Sequence, residues 1–90
     1  MCDPITMRFI DLKLFILDKR IRHLNNRSRT RFEKVLHRLQ RRRNYVWSEL
    51  LEVRDLPADV ASPAIEHITL EWEAIDRSIG RTLKMLHPSN

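Results

Sequence analysis

Residues 65–86 read IEHITLEWEAIDRSIGRTLKML, and the spacing of the large apolar side chains in this stretch decides the fold. These side chains recur every three or four residues. They are Ile65, Ile68, Trp72, Ile75, Ile79, Leu83 and Leu86. An α-helix places residues three and four apart on one face, whereas a strand places alternate residues there. We therefore expect a helix with one apolar stripe along its length.

Two earlier segments repeat this spacing. The first comprises Met7, Ile10, Leu14, Leu17, Ile21 and Leu24. The second comprises Phe32, Leu36, Leu39, Arg43, Val46, Leu50 and Val53, and it includes one charged member. Such a pattern, sustained over several turns, is typical of long helices that pack side by side.

Capping signals indicate where the helices begin. Ser62 precedes Pro63, and an Asp-Pro pair stands at 3–4; in both, a capping residue precedes a proline that suits the first helical position. Thr30 and Glu33 have the spacing of a capping box. The expected helices are 4–25, 31–54 and 63–86, joined by a turn at 26–29 and a loop at 55–61.

Short connections between helices of about 33 Å favour antiparallel neighbours. We therefore predict an all-α, antiparallel, up-down-up three-helix bundle. It should form a single domain over residues 1–90, with a frayed tail at 87–90.

Composition excludes several other classes of protein. One glycine and four prolines in 90 residues leave few turns for a β-sandwich or barrel. A single cysteine, Cys2, excludes an intramolecular disulfide framework and a multi-cysteine zinc site. No apolar run reaches the roughly 18 residues of a membrane span, and no targeting signal is evident, so we expect a cytoplasmic protein without membrane contact.

Positive charge is concentrated in residues 19–43, which hold eleven Lys and Arg against one acid, Glu33. These residues form one end of the expected bundle, to which the end of the third helix returns. The residues expected to bind a polyanion there are Arg27, Arg29, Arg31, Lys34, Arg38, Arg41, Arg42, Arg81 and Lys84.

The positive charges at this end repel one another, and an anionic partner would relieve the repulsion. A nucleic acid is the partner that best matches so many positive charges, because it carries many phosphates. Nine of the eleven bases are arginines, which suit bidentate phosphate or carboxylate contacts. No aromatic stacking platform is apparent at this end, so binding should follow the backbone with little sequence selectivity. Two alternatives remain open, a solvated charged face and an acidic protein surface as partner.

The first helix carries a second apolar stripe, formed by Ile5, Phe9, Leu12 and Ile16. A helix in a three-helix monomer covers only one broad face, so this stripe predicts an interface with a second copy or with a protein partner. The alternative is a bundle tight enough to cover both stripes. A membrane-surface role is less favoured, because Asp11 and Asp18 share this helix.

The remaining chemistry-bearing residues predict no catalytic site, metal site or cofactor. The four histidines show no i, i+4 pairing, and no grouping of nucleophile and base is evident, so we expect no enzyme. Arg43 lies on an apolar stripe and should pair with Asp76 or Glu73 of the third helix. Gly80, inside that helix, suggests a close approach between helices.

Overall fold

Three helices make up residues 4–86, the part of the chain whose backbone the computed structural model describes; side chains are described from residue 7 onward. The helices are α1 (Pro4–Arg22), α2 (Asn26–Val53) and α3 (Ala58–Leu86). The predicted all-α three-helix bundle is confirmed. The expected cap at residue 3 and the expected frayed tail at 87–90 lie outside the described residues.

Each helix packs against the other two, and the contacts give the directions of the helices. Asp11 near the middle of α1 pairs with Arg43 in α2. Residues 9–10 of α1 lie beside residues 72–73 of α3. Lys13, one turn further along α1, contacts Asp76, one turn further along α3. Because both chain numbers rise together, α1 and α3 are parallel. The short connections at 23–25 and 54–57 make α2 antiparallel to both. The bundle measures 50 × 22 × 17 Å.

The core is one cluster built from the three predicted stripes. Its centre is completely enclosed, with Leu17, Ile75 and Ile79 at 0% exposure. The buried members are Met7, Ile10, Leu14, Leu17, Ile21, Leu36, Leu39, Val46, Ile68, Trp72, Ile75 and Ile79. Packing of these stripes, rather than helix propensity alone, holds helices of this length in place.

The start of α2 differs from the prediction by five residues. Asn25 is the N-cap, and its side-chain Oδ1 accepts a hydrogen bond of 3.0 Å from the backbone N–H of Ser28. Thr30 lies inside the helix instead, where its hydroxyl donates to the carbonyl of Asn26 at 2.9 Å. The capping box expected at Thr30 and Glu33 is therefore wrong. α1 ends at Arg22, three residues before its expected end.

The start of α3 is also earlier than expected. The carbonyl of Pro57 accepts the backbone N–H of Ala61 at 2.8 Å, so the helix begins at Ala58 and Pro63 lies inside it. The expected cap at Ser62 and the loop over 55–61 are wrong. Ala61 is buried and extends the apolar stripe back by one turn, which supplies the packing that the extra residues need.

Two ion pairs tie α1 to its neighbours. Arg43 makes a bidentate contact with Asp11, with Nε–Oδ1 at 2.8 Å and Nη2–Oδ2 at 2.9 Å, and Lys13 Nζ lies 2.6 Å from Asp76. The prediction that Arg43 pairs with α3 is wrong, because its place on α2 faces α1. Partly exposed pairs of this kind each contribute about 0–1 kcal/mol, so their main effect is on helix register.

Gly80 has no structural need to be glycine. A Cβ built on it meets nothing within 4 Å, so the expected close approach between helices is wrong. Glycine inside a helix costs about 1 kcal/mol relative to alanine, because it loses more backbone freedom on folding.

Gly80→Ala is therefore expected to raise the free energy of unfolding by up to about 1 kcal/mol, measured by urea denaturation followed by circular dichroism. Ala74→Gly in the same helix is the matched control and should lower it. A destabilised Gly80→Ala protein would contradict the open surroundings of this position.

Candidate functional site

A row of basic side chains runs along the exposed side of α2. Five members follow one another at steps of four, three, four and three, and a sixth basic residue, an arginine, flanks them. This surface is called the basic ridge here and consists of Arg27, Arg31, Lys34, Arg38, Arg41 and Arg42. At about 1.5 Å of rise per residue, the ridge is about 22 Å long.

The ridge faces solvent because the apolar stripe of α2 faces the core. Leu36, Leu39 and Val46 are buried, whereas all six ridge side chains are exposed. No acid belongs to the ridge. Glu33, the one acid in this half of α2, lies 3.9 Å from the Nε of Arg29. The positive field of the ridge is therefore not cancelled by a carboxylate along the same row.

A shallow groove crosses the middle of the ridge. It is lined by Lys34, His37, Arg38, Gln40, Arg41 and Asn44. Guanidinium and ammonium groups beside amide donors form a surface on which a phosphate or carboxylate group gains charge-assisted hydrogen bonds.

Three of the nine predicted polyanion-binding residues lie off the ridge. Arg29 is held on its own helix, where Nη2 donates to Oδ1 of Asn26 at 2.5 Å. Arg81 and Lys84 are exposed on α3, and Nη2 of Arg81 donates to Oγ of Ser78 at 3.1 Å. The last two share the basic end of the bundle but stand on a different helix from the ridge.

Tyr45 is a surface residue that the sequence analysis missed. It follows Arg41 by four residues, continues the row of the ridge, and is 63% exposed. The same spacing that defines the ridge could have identified it. An exposed aromatic ring beside arginines can stack on an unpaired base, so Tyr45 adds a candidate stacking surface at the far end of the ridge from Arg27.

The second stripe of α1 is uncovered in the bundle. Phe9 is 59% exposed, Leu12 54% and Ile16 36%, and Phe15 beside them is 55% exposed. The side chain of Ile5, the fourth predicted member, lies outside the described residues. For the described members, the alternative of a bundle that covers both stripes is wrong. We call Phe9, Leu12, Phe15 and Ile16 the α1 face.

Charged groups near the α1 face are mostly basic or already paired. Nζ of Lys19 lies 4.8 Å from the centre of the Phe15 ring, a distance suited to a cation–π contact. Asp18 lies 3.1 Å from Nη2 of Arg22 one turn later, and Asp11 is held by Arg43. Asp11 and Asp18, the acids that made a membrane-surface role of α1 less favoured, are therefore each paired with an arginine.

A second polar cluster lies between α2 and α3. His67 Nε2 is 2.5 Å from Oε1 of Glu71 one turn later on α3, and Glu49 of α2 joins them. One ligand atom from each residue lies within 4.8 Å of the other two. A search of the sequence for paired histidines does not reveal this group, because its members are one histidine and two glutamates, one of them from another helix.

Glu49 sits in an unfavourable environment within this cluster. Its Oε1 is enclosed and has no hydrogen-bond partner among the described residues. Burial, followed by the negative charge of Glu71, raises the pKa of Glu49; Glu52 adds to the rise and His67 opposes it. Ionisation of the Glu49 carboxyl group therefore lowers the stability of the folded state.

Comparison with known proteins provides no relative. No model of a protein family matches the chain, and neither a curated protein nor a solved structure is significantly similar to it. Within residues 4–86, none of the helices combines the length and apolarity needed to cross a bilayer.

Glu49→Gln is expected to raise the melting temperature at pH 8 in buffer containing a chelator. A raised pKa means that the native state holds the proton more tightly than the unfolded state, so wild-type stability falls as pH rises above the usual carboxyl value of 4.5. The gain should shrink as pH falls below that value. Glu66→Gln, an exposed carboxylate on α3, is the control for the change in net charge and should show no such gain. A wild-type protein more stable than Glu49→Gln at pH 8 would contradict the cost assigned to Glu49.

Proposed function

We propose that this protein is a non-enzymatic helical binding module that holds the phosphate backbone of a nucleic acid along the basic ridge of α2. The observation that carries the proposal is six exposed cationic side chains on one side of α2, five of them in one row, with no acid among them. A surface of this kind gains free energy by releasing the counterions condensed on a polyanion.

The length of the ridge supports a nucleic acid over a small anion. One strand of a duplex presents a phosphate about every 3.4 Å of axis, so a ridge of about 22 Å spans about six phosphates. Five of the six ridge residues are arginines, whose planar guanidinium groups contact phosphate oxygens in pairs. Contacts to the backbone position the protein without reading bases, so affinity should vary little with sequence.

The proposal includes a homodimer formed through the α1 face. Four large apolar side chains exposed on one helix form a patch that a monomer rarely leaves in contact with water. A two-fold axis is the commonest arrangement for such self-association, and it would bring two ridges into one assembly. A cytoplasmic location belongs to the proposal as well, supported by the use of a single cysteine.

The first test is the salt dependence of binding to labelled duplex DNA and to single-stranded RNA, measured by fluorescence anisotropy. If all six ridge charges contact phosphates, the logarithm of the binding constant for duplex DNA should fall with the logarithm of the salt concentration with a slope of about −5. Arg38→Glu/Arg41→Glu removes two contacts and adds two repulsive charges. It is expected to weaken binding at least about tenfold and to make the slope shallower by about 2.

The matched control is Arg54→Glu/Arg77→Glu, which changes the net charge by the same amount at exposed positions away from the ridge. It should lower affinity much less than the ridge variant. Equal losses in both variants would show that overall charge, rather than the ridge, attracts the polyanion. Absence of binding at low salt would refute the nucleic-acid proposal.

A second candidate function is a helical adaptor that docks a partner protein on the α1 face while the ridge meets an acidic surface. The exposure of Phe9, Leu12 and Phe15 favours it. This candidate differs from the first in two respects: nucleic-acid affinity is low, and the α1 face binds another protein instead of a second copy.

Leu12→Asp tests the α1 face. Because Leu12 is 54% exposed, its replacement should leave the fold intact while placing a charge in the middle of the face. Light scattering over a concentration series is expected to give a dimer for the wild type and a monomer for Leu12→Asp. Leu70→Asp, at a position 65% exposed on α3, is the control and should remain dimeric. A wild type that stays monomeric at all concentrations would refute the homodimer.

A further inference from the structure

Glu49, His67 and Glu71 bring an imidazole and two carboxylates to one place on the flank of the α2–α3 hairpin. His67 and Glu71 are one turn apart on α3, so both side chains leave the same face of that helix. Glu49 approaches from α2. The three donors thus come from two helices whose relative position is fixed by the core.

We propose that these three side chains bind a divalent transition-metal ion, with Zn²⁺ as the best fit. One histidine nitrogen and two carboxylate oxygens form a ligand set that zinc accepts, whereas Ca²⁺ and Mg²⁺ favour oxygen ligands alone. The proposal does not depend on nucleic-acid binding, because the cluster lies beyond the ridge, which ends at Arg42.

The distances leave room for an ion after a small adjustment. Zinc–ligand bonds of about 2.1 Å place neighbouring ligand atoms of a tetrahedral site about 3.4 Å apart. The three ligand atoms lie within 4.8 Å of one another, and this upper limit exceeds the required spacing by little more than 1 Å. His67 Nε2 and Glu71 Oε1, now 2.5 Å apart, need to separate by about 1 Å, and rotation of the exposed His67 side chain allows this. Three protein ligands leave the fourth position to water.

Electrostatics favours a cation at this point. Glu49 Oε1 is enclosed without a partner among the described residues, and a carboxylate oxygen of Glu71 lies within 4.8 Å of one of Glu49. Two carboxylates held this close together repel each other, and a cation placed between them relieves the repulsion. An ion of charge +2 offsets both carboxylates and satisfies the enclosed oxygen at the same time. The enclosed, unpartnered oxygen of Glu49 is an observation separate from the ligand spacing, and it also favours a bound cation.

The contact between His67 and Glu71 is the competing arrangement, because it occupies both side chains without a metal. The two arrangements make different predictions: a metal site binds Zn²⁺ at pH 7.5 through all three side chains, whereas a cluster satisfied by its own contact binds no metal.

The test is isothermal titration calorimetry of the full chain, freed of metal with a chelator, using Zn²⁺ and separately Mg²⁺ at pH 7.5. The wild type is expected to bind one Zn²⁺ per chain and to bind Mg²⁺ at least about 100-fold more weakly. Glu49→Gln and His67→Ala should each bind Zn²⁺ at least about tenfold more weakly, because even outer-sphere changes at metal sites cost that much.

Two control variants match these changes in residue type. His37→Ala removes an exposed histidine on the other half of α2, and Glu66→Gln removes an exposed carboxylate of α3. Both should retain wild-type affinity. Circular dichroism of each variant establishes that it is folded, and Co²⁺ in place of Zn²⁺ should give the intense visible absorption of a tetrahedral site.

Three results would overturn the proposal. The first is a wild type that binds no Zn²⁺ at millimolar concentration. The second is binding that survives in Glu49→Gln and His67→Ala but disappears in Cys2→Ser, which would place the ion at the chain terminus. The third is Mg²⁺ binding as tight as that of Zn²⁺, because an imidazole-containing site discriminates against Mg²⁺.

Discussion

The bundle depends on the burial of its most enclosed apolar side chains, Leu17 of α1 and Ile75 and Ile79 of α3, in one core cluster. All three side chains are fully buried, and the remaining core residues extend from them in both directions along the axis. A chain of 90 residues has little apolar surface to bury, so each helix must turn its stripe toward this axis. The orientation of each helix also determines which side chains face solvent: the basic ridge on α2 and the α1 face are exposed because they lie away from the core.

Helix register depends on polar contacts that add little stability. Asp11 binds Arg43 in one direction and Lys13 binds Asp76 in the other, so the middle of α1 is tied to both neighbours. An apolar stripe slides with small changes in energy, whereas a bidentate arginine–carboxylate pair is satisfied in one register only. The same register brings Glu49 beside His67 and Glu71.

The sequence sufficed for the fold because helical spacing is a local property that three stripes repeat. The helix ends were harder to place, since Asn25 and Thr30 are both good capping residues and only packing decides between them. The early start of α3 depends on the burial of Ala61, which no local signal near Pro63 reveals. The ridge was predictable because its charge and spacing lie within one helix. The partner of Arg43 and the cluster around Glu49 required knowing which faces of two helices meet.

At the beginning of α2, the positive end of the helix dipole and positively charged side chains lie close together and repel each other. Aligned peptide dipoles place about half a positive charge at the start of a helix, and the first turn of α2 holds Arg27 and Arg29 but no acid. The side chain of Asn25 satisfies one backbone N–H there and supplies no negative charge. A phosphate at this end would be attracted by the helix backbone and by the side chains together. Since a ligand that binds only the native state adds RT ln(1 + [L]/Kd) to its stability, a bound polyanion would act as a folding ligand for the first hairpin.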